Sequence, residues 1–295
     1  MTKLYHDKVV VICLILLLKC LDGSAQSTDL LRVETTYIPQ NDSGVETTRY
    51  RFLVNVPIKL SEDDYFVIGT ELNRYDYEAS IPFPFETSEL NRLYILDLNL
   101  GYITKWNENW RLIGLVSPRL ASNFTNGIEK EDLRLNLTAT FLKDVKDIDK
   151  PFRLALGLAF NSNAGLPFPL PLVNYYRRFH PKWSYTLGIP RMNFKYHASK
   201  KHTLQTALFL DGYFVNIQND IVLDNGDLGS NISFFGLVGA VGYQFNITKM
   251  ASFYGILGYT LTQTGVLRDD DRNQVFTLND NGNMYIRGGF KISIF

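Results

Sequence analysis

From residue 26 onward the apolar side chains show no helical spacing. Segments of about 10 to 15 residues alternate apolar and polar positions instead, the pattern of a strand whose two faces meet different surroundings. In Phe152-Arg153-Leu154-Ala155-Leu156-Gly157-Leu158-Ala159-Phe160 one face carries Phe, Leu, Leu, Leu and Phe, and the other Arg, Ala, Gly and Ala. From Leu133 to Phe141 the odd positions are apolar, while Arg134, Asn136, Thr138 and Thr140 take the even ones. The even positions of 94–102 and 50–60 repeat the design, with aromatic residues flanking an aliphatic band. Strands in globular proteins average about five or six residues, whereas a tilted membrane strand needs about 9–11 and carries aromatic girdles at both interfaces. Length and girdles together predict an all-β, closed antiparallel transmembrane β-barrel, because hydrocarbon leaves no water to satisfy an open sheet edge.

The expected strands are 30–39, 46–60, 64–76, 91–104, 110–121, 132–143, 151–161, 171–179, a region 183–198, 202–216, 232–246, 250–264 and 283–295. Short polar connections at 61–64, 105–108, 143–150, 199–201 and 246–249 alternate with longer ones at 77–90, 122–131, 161–170, 217–231 and 266–282. That is the usual asymmetry of periplasmic turns and outward loops. Proline cannot donate to a ladder, so Gly188-Ile189-Pro190-Arg191 reads as a tight turn that splits 183–198 in two and gives about 14 strands. Twelve, with that region folded inward, is the alternative.

The first residues read differently. Lys3 and Lys8 precede an apolar run from Val9 to Leu18, and Gly23-Ser24-Ala25 offers small residues for cleavage. Residues 1–25 are therefore expected to be a secretory signal peptide and 26–295 the barrel domain. Cys13 and Cys20 both fall in the leader, so the body has no disulfide framework and no thiolate site. With 30 Lys+Arg against 30 Asp+Glu, the chain lacks the basic excess of a nucleic-acid binder.

The signal segment ending Ser24-Ala25-Gln26, the all-strand body and the terminal Phe295 resemble exported outer-membrane β-barrel proteins of the Bacteroidota type. Pro169-Leu170-Pro171-Leu172-Val173-Asn174-Tyr175-Tyr176, Trp183 and Leu187-Gly188-Ile189-Pro190 resemble a barrel family of unknown function within that class. The resemblance implies outer-membrane lipid and the barrel-assembly machinery as partners. It also implies a C-terminal aromatic in phase with apolar residues, and here the chain departs: Phe290, Ile292 and Ile294 share a face, while Phe295 falls in phase with Lys291 and Ser293.

If the apolar faces meet lipid, Arg32, Glu34, Arg51, Glu71, Asp97, Arg111, Arg119, Arg134, Arg153 and Asp211 point inward, with Asn55, Asn99 and Lys195. A mixed-sign lumen either sorts small solutes by charge in a hydrated channel or closes a narrow barrel with salt bridges. No cofactor is implied. His180, His197 and His202 lie near the short turns with no evident serine partner, which speaks against a hydrolase. Asp269-Asp270-Asp271 lacks the glycine and distant glutamate of a calcium loop, so no metal is expected. The apolar stretches Ile81-Pro82-Phe83-Pro84-Phe85 and Leu166 to Leu172 are expected either to cover the mouth or to pack on loop neighbours and the girdle. The expected reading is a passive or gated channel, against a closed structural or surface-binding barrel and a third, disfavoured, membrane hydrolase. The assignment of faces carries its own expectation: Leu156→Arg should harm assembly and Gly157→Ser should not.

Overall fold

Alternating strands with unsatisfied edges close on one another, and the chain does so. The computed structural model describes residues 29–145, 151–160 and 169–294, so the expected signal peptide lies outside the described residues. The strands are β1 (Asp29–Ile38), β2 (Val45–Lys59), β3 (Tyr65–Ala79), β4 (Arg92–Lys105), β5 (Trp110–Ser122), β6 (Leu133–Val145), β7 (Phe152–Phe160) and β8 (Leu170–His180). They continue with β9 (Trp183–Ile189), β10 (Arg191–His197), β11 (His202–Val222), β12 (Leu228–Asn246), β13 (Ala251–Arg268), β14 (Gln274–Asn279) and β15 (Met284–Ser293). Each wall strand pairs antiparallel with its neighbours, and β15 pairs with β1 to close the ring. The short β14 pairs only with the end of β13, so the wall has 14 strands. Pro190 does make the turn: β9 and β10 are separate strands of seven residues each.

The alternation sorts side chains as the pattern requires. On β6 the exposures of Leu133, Leu135 and Leu137 are 60%, 49% and 43%, whereas Asn136 and Thr140 are 8% and 1% exposed. The leucines face outward, and the polar residues face the interior. Registers carry the inward face around the ring, as in Glu34 opposite Arg51, Glu71 opposite Asp97 and Asp97 opposite Arg119. On β15 Phe290 and Ile292 oppose Phe253 and Ala251, while Lys291 opposes Arg32 across the other ladder; Phe295 lies outside the described residues.

Strand length is uneven, and that shapes the outer end. The stretches 217–231 and 266–282, expected as loops, are largely ladder: β11 runs to Val222, β12 starts at Leu228, and β13 runs to Arg268. β11 leaves β10 after Leu210 N donates to the Pro190 carbonyl at 3.0 Å. Its extension then leans over the mouth, where Asn216 pairs in parallel with Ser122 of β5 and Asn216 Nδ2 donates to Asp132 Oδ1 at 2.9 Å. Under this extension lies an apolar core of Tyr75, Leu90, Leu93, Val215, Ile217 and Leu267, among others. Phe83 and Phe85 pack against it and against Phe276, with ring centroids 6.1 and 5.1 Å apart. The stretch 81–85 thus covers the mouth by packing on a loop neighbour. Of the second apolar stretch, 166–168 lie outside the described residues, and Leu170 begins β8.

Candidate functional site in the barrel lumen

Below the apolar core, charged side chains from both halves of the ring meet across the interior. Asp211 on β11 is the hub. Its Oδ1 accepts from Arg49 Nη1 at 3.2 Å, and its Oδ2 accepts from Arg287 Nη2 at 2.6 Å and from the Tyr285 hydroxyl at 2.5 Å. These partners sit on β2 and β15, so the contacts are struts across the barrel. Glu34, 2% exposed, accepts from Arg51 Nη1 at 3.3 Å and from the Tyr254 hydroxyl. Arg51 Nη2 donates to Glu71 at 2.8 Å, and Arg119 grips both oxygens of Asp97 at 2.6 and 2.8 Å. Buried carboxylates need such partners because desolvating a lone charge costs several kcal/mol.

Arg32, Glu34, Arg51, Glu71, Asp97, Arg119 and Asp211, all expected to face inward, therefore come together. The other three sit apart. Arg111 lies near the short-turn end opposite Lys105 and Leu142. Arg153 pairs with Asp144 at 3.0 Å. Arg134 is near the outer mouth, donating to Asn231 Oδ1 at 3.0 Å with its guanidinium 4.6 Å from the Phe214 ring. Sequence reasoning missed Arg49 and Arg287, although parity with Arg51 and with Lys291 places both on the inward face. Arg191 was hidden by the turn it follows.

The described residues enclose two hollows in the lumen. The larger, about 520 Å³, is lined by Arg49, Arg51, Glu71, Asp97, Arg119 and Asp211 among others. Its lining also includes Pro171, Ile189, Leu210 and Phe235, which belong to the outward face by register with Leu158, Val173 and Leu237. The hollow thus reaches the wall where the short β9–β10 hairpin ends: β8 pairs with β9 only up to Val173, and β10 with β11 only from Phe209 down. The smaller hollow, about 180 Å³, lies toward the short-turn end among β1, β10, β13 and β15. Arg32, Arg191 and Arg287 line both and stand at their junction. A further hollow of about 640 Å³ is bounded by Leu100, Val116, Leu137, Leu158 and Phe160; it is an apolar groove on the outward face, suited to acyl chains rather than chemistry.

One histidine departs from expectation. His197 has a serine partner after all: its Nε2 lies 2.9 Å from Ser184 Oγ, and its Nδ1 lies 3.3 Å from Thr203 Oγ1. A threonine stands where a triad needs a carboxylate, and Ser184 is 1% exposed. The three residues form a polar tie between β9, β10 and β11. In the outer turn, Asp269 accepts from the Asn273 amide at 2.7 Å and from its side chain at 3.0 Å, so this acidic residue caps its own loop. Among the described residues no group of three or more His, Cys, Asp or Glu is placed to hold a metal.

The family model described as Domain of unknown function (DUF6268) matches residues 69–293. The chain belongs to this family. No curated protein matches it. Among solved structures, the COG4313 outer membrane channel from Pseudomonas putida F1 is similar at 13% identity and a TM-score of 0.44, over 92% of this chain and 98% of that one. The KdgM porin in complex with disordered oligogalacturonate is similar at 11% identity and a TM-score of 0.36, over 90% and 99%. LpxR from Salmonella typhimurium is similar at 8% identity and a TM-score of 0.39, over 89% and 99%. The structural neighbours are outer-membrane β-barrels; this chain is a closed antiparallel β-barrel of 14 wall strands.

Proposed function

We propose that this barrel is a gated channel for small solutes, exported behind residues 1–25 to the outer membrane of a Bacteroidota-type bacterium. The observation that supports this reading is the hollow of about 520 Å³ whose lining runs from lumen charges to residues at the edge of the wall. An interior meant only to be closed is filled by side chains, as small barrels are. Here the salt bridges line a space rather than fill it. The aromatic core over the mouth supports gating over permanent openness, because an axial solute would have to displace dry, packed rings. The hollow instead meets the wall above the β9–β10 hairpin, a side route that leaves the apolar core intact.

The test is conductance of purified, refolded protein in planar bilayers. Discrete steps that scale with salt support transfer. A silent barrel that migrates on gels in the heat-modifiable folded form would return the molecule to the second reading, a closed structural barrel, which the cross-lumen struts at Asp211 favour. The hydrolase reading is checked by turnover of lipid or peptide substrates that disappears in Ser184→Ala.

A further inference from the structure

The smaller hollow has a charge composition unlike the rest of the lumen. Arg32, Arg191, Lys195, Arg287 and Lys291 line it, and Glu34 is the one carboxylate among its lining residues. Glu34 is already shared with Arg51 and the Tyr254 hydroxyl. Asp29, a further carboxylate whose charge reaches Lys195 and Lys291, is bonded to Arg32 and accepts from Ser293 Oγ at 2.5 Å. Around the larger hollow, by contrast, cations and carboxylates pair. Here cations face cations.

Three of the five have no anionic partner in contact. Among the described residues, the side chains of Arg191, Lys195 and Lys291 make no hydrogen bond or ion pair. Arg191 and Arg287 hold their guanidiniums 5.2 and 5.4 Å from the same Phe209 ring, which brings two positive groups to one aromatic residue. Lys291 rests 5.9 Å from the Tyr254 ring. The charges that bear on Lys195 are those of Lys291 and Arg191, opposed by Asp29 alone. The remaining lining is amide and hydroxyl: Asn193, Gln205, Gln244 and Tyr254. Clustered cations in a confined lumen repel one another strongly, because water there screens less than bulk. The arrangement is stable when an anion supplies the missing charge.

We propose that this chamber is a binding site for a small oxyanion, a phosphate or short carboxylate, and that it makes the channel anion-selective. The proposal names the solute class of the channel reading and rests on that reading for transport, though not for binding. Lys195, Lys291 and Arg191 furnish the charge, and Gln205 and Gln244 furnish further amide donors. A space of 180 Å³ equals about six waters at roughly 30 Å³ each, enough for such an anion with a partial hydration shell and too little for a sugar polymer. Its place beside the junction formed by Arg32, Arg191 and Arg287 means that a solute leaving the larger hollow toward the short-turn end meets it.

The experiment titrates the refolded full-length barrel in detergent micelles at low ionic strength with inorganic phosphate and, separately, succinate, by calorimetry. Saturable binding of at least one probe is expected, weakened at least tenfold in the Lys195→Gln/Lys291→Gln variant. A Lys200→Gln/Lys201→Gln variant removes the same charge from an exposed turn and should bind like wild type. Reversal potentials in a KCl gradient should show chloride preference that the Lys195→Gln/Lys291→Gln variant loses. Phosphate binding without succinate binding identifies an inorganic oxyanion, and the converse a carboxylate. No saturable binding of either probe, or equal binding by folded Lys195→Gln/Lys291→Gln, overturns the site. Binding in a barrel that conducts nothing leaves the site standing and refutes the channel instead.

Discussion

Replacing Leu156 with arginine tests the assignment of faces on which everything else depends. Leu156 is the midpoint of the nine-residue β7, is 40% exposed, and lies in register between Phe141 and Val173, both also exposed. It belongs to the apolar belt at the height where the bilayer is driest. An arginine near the midplane of a barrel costs roughly 2–4 kcal/mol, which at about 1.4 kcal/mol per factor of ten lowers the folding equilibrium roughly 30- to 700-fold.

The control must face inward without touching the ladder. Gly157, next in sequence, fails that requirement: a Cβ there would lie 2.3 Å from the Ala139 carbonyl oxygen and 2.9 Å from Thr140 Cα, so serine would disturb the backbone for reasons unrelated to lipid. The expectation that Gly157→Ser is harmless is corrected accordingly. Ala159, opposite Thr138 and Leu170, lines the larger hollow. Ala159→Ser adds one hydroxyl that lumen water satisfies, and should shift stability by no more than about 0.5 kcal/mol. Refolding into phospholipid bilayers along a urea series, with the folded fraction read by heat-modifiable migration, measures both. Equal folded fractions for Leu156→Arg and Ala159→Ser would refute the assignment of faces and the membrane placement of the wall.

Asp211→Asn removes the charge shared by Arg49, Arg287 and Tyr285 and replaces one of its two acceptor oxygens with a donor; a loss of about 2–3 kcal/mol is expected, below that of a fully dry pair because the hub lines a hollow, and the urea midpoint reports it. Gly188 sits at φ +140 with the Val173 carbonyl oxygen 1.8 Å from where a Cβ would stand. Gly188→Ala should cost at least about 1–3 kcal/mol by the same assay, and an unchanged midpoint would mean that the hairpin turn is misplaced. The paired change Phe85→Ala/Phe276→Ala opens the aromatic contact over the mouth; bilayer conductance should rise while heat-modifiable migration is kept, and unchanged conductance would show that this contact does not gate.

The wall was legible because lipid and lumen impose opposite demands on successive residues. A strand such as 133–145 cannot satisfy both without alternating, so its faces are written in its sequence. Extent was less legible at the outer end. Beyond the membrane, β11 to Val222 and β13 to Arg268 stop facing lipid and instead cover a loop-built core. Their alternation is lost there, because Val215, Ile217 and Leu267 are buried by neighbours rather than by bilayer. The short β14 had no chance of detection by period: six residues holding on to the end of β13 look like any outward loop.

The lumen was legible in direction and illegible in partnership. Parity says that Arg49, Arg51 and Arg287 point inward, but only the closing of the ring brings β2 and β15 against Asp211 on β11. The distinction between a closing salt bridge and a charged conduit therefore lies in how the signs distribute along the axis. At mid-height, Asp97, Glu71 and Asp211 each hold an arginine, which fixes the cross-section and neutralises it. Toward the short-turn end the carboxylates Glu34 and Asp29 are bonded to Arg51 and Arg32, while Arg191, Lys195 and Lys291 line the smaller hollow without a carboxylate in contact. A barrel that merely needed closing would gain nothing from cations that outnumber the carboxylates around them, since each raises the cost of the next. On the channel reading proposed above, the neutral region holds the lumen's shape and the cationic region selects what enters it.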